Sequence, residues 1–129
     1  MNLLDENIPL DQRDILAAWG IRCRVIGVDV SYLSIGDDNI VSLLHHLKQP
    51  TLFTRDEHFF KRSLCHAGYC LLWLDFKPAE AAEYVRRVLR HSRFDTKIKR
   101  MGVVGRAHHD GIQFWARGKE RSQTTEWRH

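Results

Sequence analysis

"YCLLWL", Tyr69–Leu74, carries no charge and has the length of a strand. A strand with one wet face alternates apolar and polar residues. An unbroken apolar run fits a strand buried on both faces, as in parallel sheets covered by helices on each side. Tyr69–Leu74 is therefore expected at the centre of such a sheet. Downstream, Pro78–Ala79–Glu80 opens the clearest helix of the chain, reaching about His91. Its acids come early and its arginines late, as the helix dipole favours.

Upstream, Thr51–Thr54 reads as the preceding strand, and Phe59–Arg62 as a short helical turn. Before it, Asp37 or Asp38 can cap a helix with Ile40, Val41, Leu43, Leu44 and Leu47 at helical spacing, ended by Pro50. Ile21–Val28 alternates apolar and basic residues, the pattern of a strand with one exposed face. Before that, Pro9 fits a first helical turn, Ile15, Leu16 and Trp19 supply an apolar stripe, and Gly20 stands at the C-cap position. Asn2–Leu4 is a short first strand that stops at Asp5–Glu6–Asn7.

After Met101 the pattern becomes "VVGRAHHDGIQFWARG", two strand-like runs around His109–Asp110–Gly111, where Asp-Gly is a strong hairpin signal. From Lys119 onward little is available to bury. The expectation is one α/β domain over residues 1–118, an α/β/α sandwich with a mainly parallel sheet. A hairpin should extend or cap its edge, and 119–129 should form a frayed basic tail.

The composition narrows the function classes. With 43% apolar and 28% charged residues the chain should bury a true core rather than stay disordered. No apolar run is long enough to span a bilayer. "MNLLDENIPL" has acids where a signal peptide needs basic residues, so a cytoplasmic protein is expected. Cys23, Cys65 and Cys70 lack the doubled Cys-x-x-Cys pattern of a structural zinc site and read as reduced thiols. Cys65, His66 and Cys70 could bind a metal only with further ligands that the sequence does not supply. The net charge of +4 is unevenly spread: Arg and Lys are abundant after Arg86, while acids dominate the first residues and Asp37–Asp38. Such a division suits a polyanion held by one region and metal ions by another, and equally a merely basic surface.

Open α/β sheets place ligands outside the carboxyl ends of their strands. Asp5 follows the first expected strand, and Asp56 follows the third with only Arg55 between. With both strands central and parallel, the two carboxylates meet at one edge, and Asp37 or Asp38 could reach it from a helix start. Clustered carboxylates repel unless a cation joins them, and hard divalent ions such as Mg²⁺ or Mn²⁺ prefer oxygen ligands. Each acid also has a plain structural role available, as a helix cap or a loop residue.

Three short segments carry a resemblance. "LLDENIP" near the start, "GDDNI" before a helix and "TRDEHF" after a strand resemble the signatures of PIN-like proteins, in particular a group of short prokaryotic chains. The similarity spans Asn2 to about Leu74. It implies an α/β/α sandwich with an acidic, Mg²⁺- or Mn²⁺-dependent nuclease centre, in many cases a toxin ribonuclease restrained by an antitoxin. By position, Asp5 matches the first acid and Asp56 the third. Asp37 matches the second by its spacing to Ile40, with Asp38 a close competitor. His58 stands where the pattern has Asp, and an imidazole suits Mn²⁺ better than Mg²⁺.

The reading is thus a metal-dependent endoribonuclease, the toxin of a toxin–antitoxin pair. Asp5, Asp37, Asp38 and Asp56 are its candidate catalytic and metal-binding acids, and His58 a further candidate ligand. Arg55, Lys61, Arg62, Arg117, Lys119 and Arg121 are candidate RNA contacts. RNA is the expected substrate, an antitoxin protein the expected partner, and a homodimer is left open. The alternative is a non-catalytic PIN-like module that binds RNA or protein. A weaker third reading, a phosphoacceptor receiver, needs a lysine late in the sheet, and Lys77 comes at a different spacing.

Overall fold

In the computed structural model, residues 1–29 and 37–127 are described, side chains excepted at 37–39. Strands β1 (Asn2–Leu4), β2 (Arg24–Val25), β3 (Thr51–Thr54), β4 (Cys70–Leu74), β5 (Val103–His108), β6 (Gly111–Ala116) and β7 (Gln123–Thr125) form one sheet in the order β2-β1-β3-β4-β5-β6-β7. The first five are parallel, and β6 and β7 are antiparallel to their neighbours. Helices α1 (Leu10–Ala18), α2 (Asp37–His46), α3 (Ala81–Arg90) and the short α4 (Lys97–Arg100) fill the connections. No helix among the described residues is long and apolar enough to cross a membrane.

Because neighbouring side chains on a strand point to opposite faces, each central strand feeds two cores. Leu4, Phe53 and Leu72 pack under α1 and α3 with Leu16, Val85 and Val88. Leu3, Leu52, Leu71 and Val104 pack on the other face with Ile40, Leu43 and Leu44 of α2. β4 lies between β3 and β5, and Cys70, Leu71, Leu72 and Leu74 are buried, as its unbroken apolar pattern predicts.

The structure corrects four expectations. The strand expected over 21–28 contracts to Arg24–Val25, because it pairs with β1 alone and the chain turns away at Gly27 (φ 89°). On α1, Leu16 is fully buried but Ile15 and Trp19 are 37% and 39% exposed. The inward partner of Leu16 is Gln12, whose Oε1 accepts a hydrogen bond from the Ala82 N–H (2.9 Å) and so caps the start of α3. The frayed tail is instead β7, paired with β6 through Ile112↔Thr125 and Phe114↔Gln123. For the same reason the hairpin β5–β6 is interior to the sheet rather than at its edge. Gly111 (φ 149°) makes that approach possible, since a Cβ there would overlap the Thr125 carbonyl oxygen.

The three cysteines are free. Burial pushes the Cys70 thiol up to about 12 and the Cys23 thiol up to about 11, so both are inert at neutral pH.

Candidate functional site

In a doubly wound sheet the ligand crevice opens where the strand order reverses. From β1 the chain moves outward to β2, then crosses back to β3 on the other side of β1, so the reversal lies between β1 and β3. The parallel register Leu4↔Phe53 sets Asp5 beside Thr54 at the carboxyl ends of these two strands. The sheet therefore brings these acids to one edge by register alone.

Thr54 is the hub. Its hydroxyl donates to Asp5 Oδ2 (2.7 Å) and accepts from the Asp56 N–H (3.0 Å) and from Asn7 Nδ2 (3.3 Å). Asp5 Oδ1 accepts from the Glu6 N–H (2.8 Å), and Asn7 Oδ1 accepts from the Arg55 N–H (3.1 Å), which ties the loop after β1 to the loop after β3. Asp56 Oδ1 accepts from the His58 N–H (2.9 Å) and lies 2.8 Å from His58 Nδ1. Asn7 and Thr54 were missed by sequence reasoning. Both stand inside the "LLDENIP" and "TRDEHF" segments, where the charged residues and His58 carry the stronger chemical signal.

Asp5 is 3% exposed, and no Lys or Arg among the described residues pairs with it or with Asp56. Burial holds the Asp5 carboxyl above its ordinary value, and the charges of Glu6 and Asp56 push the same way against the hydrogen bonds from Thr54 and Glu6. The native state thus keeps this proton to higher pH than the unfolded chain, whose carboxyl titrates near 3.8. Unfolding releases a proton in the window above that value, so stability falls as pH rises through it. In EDTA, the urea midpoint of the wild type is expected to fall through this window relative to that of Asp5→Asn, which cannot ionise and shares the opposite contributions of Glu83 and His108. A wild-type midpoint that rises relative to Asp5→Asn through the same window would contradict the sign.

Thr54→Val tests the hub. The change keeps the side-chain shape but removes the donor to Asp5 and the acceptor for the Asp56 N–H. A loss of about 2–4 kcal/mol in urea unfolding is expected, while Thr54→Ser stays near wild type.

The other candidates separate. Asp37 and Asp38 open α2, which leads from β2 back to β3, so their backbone lies toward the carboxyl edge; their side chains are outside the described residues. The His58 side chain is 70% exposed and is turned onto Asp56 through Nδ1. An imidazole oriented by a carboxylate in this way keeps Nε2 for a ligand or a proton. Glu57 is exposed, and Phe59 is buried under the loop. Among the described residues no three His, Cys, Asp or Glu side chains form a group that could hold a metal ion, which includes the Cys65–His66–Cys70 set.

Of the candidate RNA contacts, Arg55 adjoins Asp56 in the chain, and Lys61 is exposed further along the same loop after β3. Val103, which opens β5, pairs with Ala116, which closes β6, so Arg117, Lys119 and Arg121 lie at the amino end of the sheet, opposite Asp5 and Asp56. Arg62 is drawn the same way, its Nη1 donating to the Glu120 carbonyl (3.3 Å). The basic residues after β6 and the Asp5–Asp56 carboxylates thus lie at opposite ends of the sheet. Several charges divide along the strand axis, although Arg55 and Lys77 also follow carboxyl ends and Glu120 lies at the amino end. Asp5, Glu6, Asp29, Asp56 and Asp75 follow the carboxyl ends of strands, while Arg22, Lys48, Lys97 and Arg117 stand at the amino end. Asp75 is offset by Arg106, whose Nη2 lies 2.6 Å from Asp75 Oδ2.

Comparison of the chain with family models, with curated proteins and with solved structures finds no significant match.

Proposed function

We propose that this protein is a metal-dependent endoribonuclease of the PIN-like class, acting as the toxin of a toxin–antitoxin pair. The observation that supports the reading best is the Asp5–Thr54–Asp56 cluster at the reversal point of the sheet. A buried carboxylate answered only by neutral donors, beside a second carboxylate, is the environment that a divalent cation would relieve. The donors are hard oxygens, which fits Mg²⁺ or Mn²⁺.

Asp5 and Asp56 would hold the ion, with Asp37 or Asp38 as the further acid. Such an ion, when bound, supplies a water of lowered pKa and neutralises charge growing on a phosphate oxygen. Thr54 fixes the Asp5 carboxylate and, through the Asp56 N–H, the start of the next loop. His58 holds Asp56 Oδ1 from two nitrogens, leaving the other Asp56 oxygen without a hydrogen bond among the described residues. Arg55, exposed and adjacent to Asp56 in the chain, would meet an incoming phosphate.

The test is cleavage of single-stranded RNA with Mn²⁺, with Mg²⁺ and with EDTA. Cleavage that requires the metal supports the nuclease. RNA binding without cleavage in any metal would favour the non-catalytic module instead. An antitoxin would be a protein that suppresses the cleavage, and a homodimer is measured by light scattering.

A further inference from the structure

A cavity of about 320 Å³ opens at the amino end of β1 and β2, lined by Met1, Asn2, Arg22, Arg24, Lys48 and Lys97. Four of its six lining residues are cations and none is an acid. None of the four forms an ion pair among the described residues. They come from separate parts of the chain: the approach to β2 and β2 itself, the end of the α2–β3 connection, and the start of α4. Gln49, next to Lys48, holds the left-handed backbone (φ 50°) that turns the chain into β3 at this point.

A further cation stands behind the cavity. Arg100 is 6% exposed, and among the described residues its guanidinium donates to neutral acceptors, Thr51 Oγ1 (3.0 Å) and the Phe94 carbonyl (2.7 Å). Thr51 pairs in register with Asn2 on the cavity wall. Like charges gathered in a concave site with a low-dielectric wall raise a positive potential and concentrate anions there.

We propose that this cavity is a phosphate-binding site. Guanidinium groups at Arg22 and Arg24 match a phosphate by paired N–H donation, and Lys48 and Lys97 add point charges. The phosphate comes either from the backbone of single-stranded RNA or from a free phosphate or phosphate monoester. The site is about three residues of β1 away from Asp5, or ~10 Å at 3.3 Å per residue, and does not depend on the carboxylate reading.

The experiment measures binding of a fluorescein-labelled single-stranded RNA by anisotropy across a salt series in EDTA, where cleavage is silent. Inorganic phosphate is titrated as a competitor against chloride at equal ionic strength. The variant Arg24→Gln/Lys97→Gln replaces two exposed side chains, and its folding is checked by its urea midpoint. Wild-type protein is expected to bind, and the variant to bind about tenfold more weakly, with a salt slope shallower by about 1.4 for two lost phosphate contacts. Binding of inorganic phosphate that the variant loses, with RNA unaffected, assigns the site to a small phosphate ligand. Equal behaviour of the two proteins toward both probes overturns the proposal. So does polyglutamate as the only anion whose binding the variant loses, which would mark a surface for an acidic protein. Retained phosphate binding with no cleavage in any metal would sink the nuclease reading alone, and cleavage without variant-sensitive binding would sink this one alone.

Discussion

Asp56→Asn is expected to lower Mn²⁺-supported RNA cleavage by about 10³-fold, equivalent to about 4 kcal/mol of transition-state stabilisation. Asp5→Asn should do the same. The amide keeps the shape of the side chain but withdraws the negative charge and the stronger oxygen ligand. The Thr54 hydroxyl bonds the Asp5 carboxylate (2.7 Å) and the Asp56 backbone N–H (3.0 Å), and both carboxylates would hold the same ion, so they are expected to act as a unit. The double variant should then be little worse than either single one. Initial rates at saturating Mn²⁺ measure this. If both single variants cleave at the wild-type rate, the chemistry does not reside at this edge.

Removal of residues 119–129 should destabilise the protein by about 4 kcal/mol, a large part of the stability of an ordinary domain. The deletion takes away β7, with its pairing to Ile112, Gln113 and Phe114. It also takes away Trp127, which packs against the α1–α3 core and donates from Nε1 to the His108 carbonyl (2.8 Å). His91 Nε2, 2.7 Å from the Glu126 carbonyl, loses that partner. The edge of β6 would then be exposed, a template for aggregation. Urea unfolding of the truncated and full chains measures the loss. Equal midpoints would show that β7 contributes no stability. RNA affinity compared between the two is interpretable only where both are folded.

Local pattern was enough for most elements. β1, β3 and β4, the α2 and α3 helices and the β5–β6 hairpin can each be read from a period of two, a period of 3.6, or a cap and a turn, because these signals lie within a few consecutive residues. The positions of Asp5 and Asp56 just past strand ends belong to the same local information. So does the reading of "YCLLWL" as a buried central strand, since burial on both faces leaves no polar position.

Other features depend on partners far away in the chain. β7 is a short polar segment, Gln123–Thr125, whose strand identity comes from the neighbour it pairs with rather than from its own side chains. Gln12 is buried because α3 presents an unpaired N–H to it, 70 residues away. Thr54 becomes the hub only when β1 and β3 lie side by side in one register, which the order of the sheet determines. The division of charge is of the same kind. Along the chain the acids come early and the bases late, but each strand has two ends, and the folded sheet sets Asp5 and Asp56 at one end and Arg22, Lys48, Lys97 and Arg117 at the other. Sequence alone determined which residues are acidic, basic or apolar and which local elements they build; the tertiary structure decided which of them meet, because register and strand order are set by packing between segments that are distant in the chain.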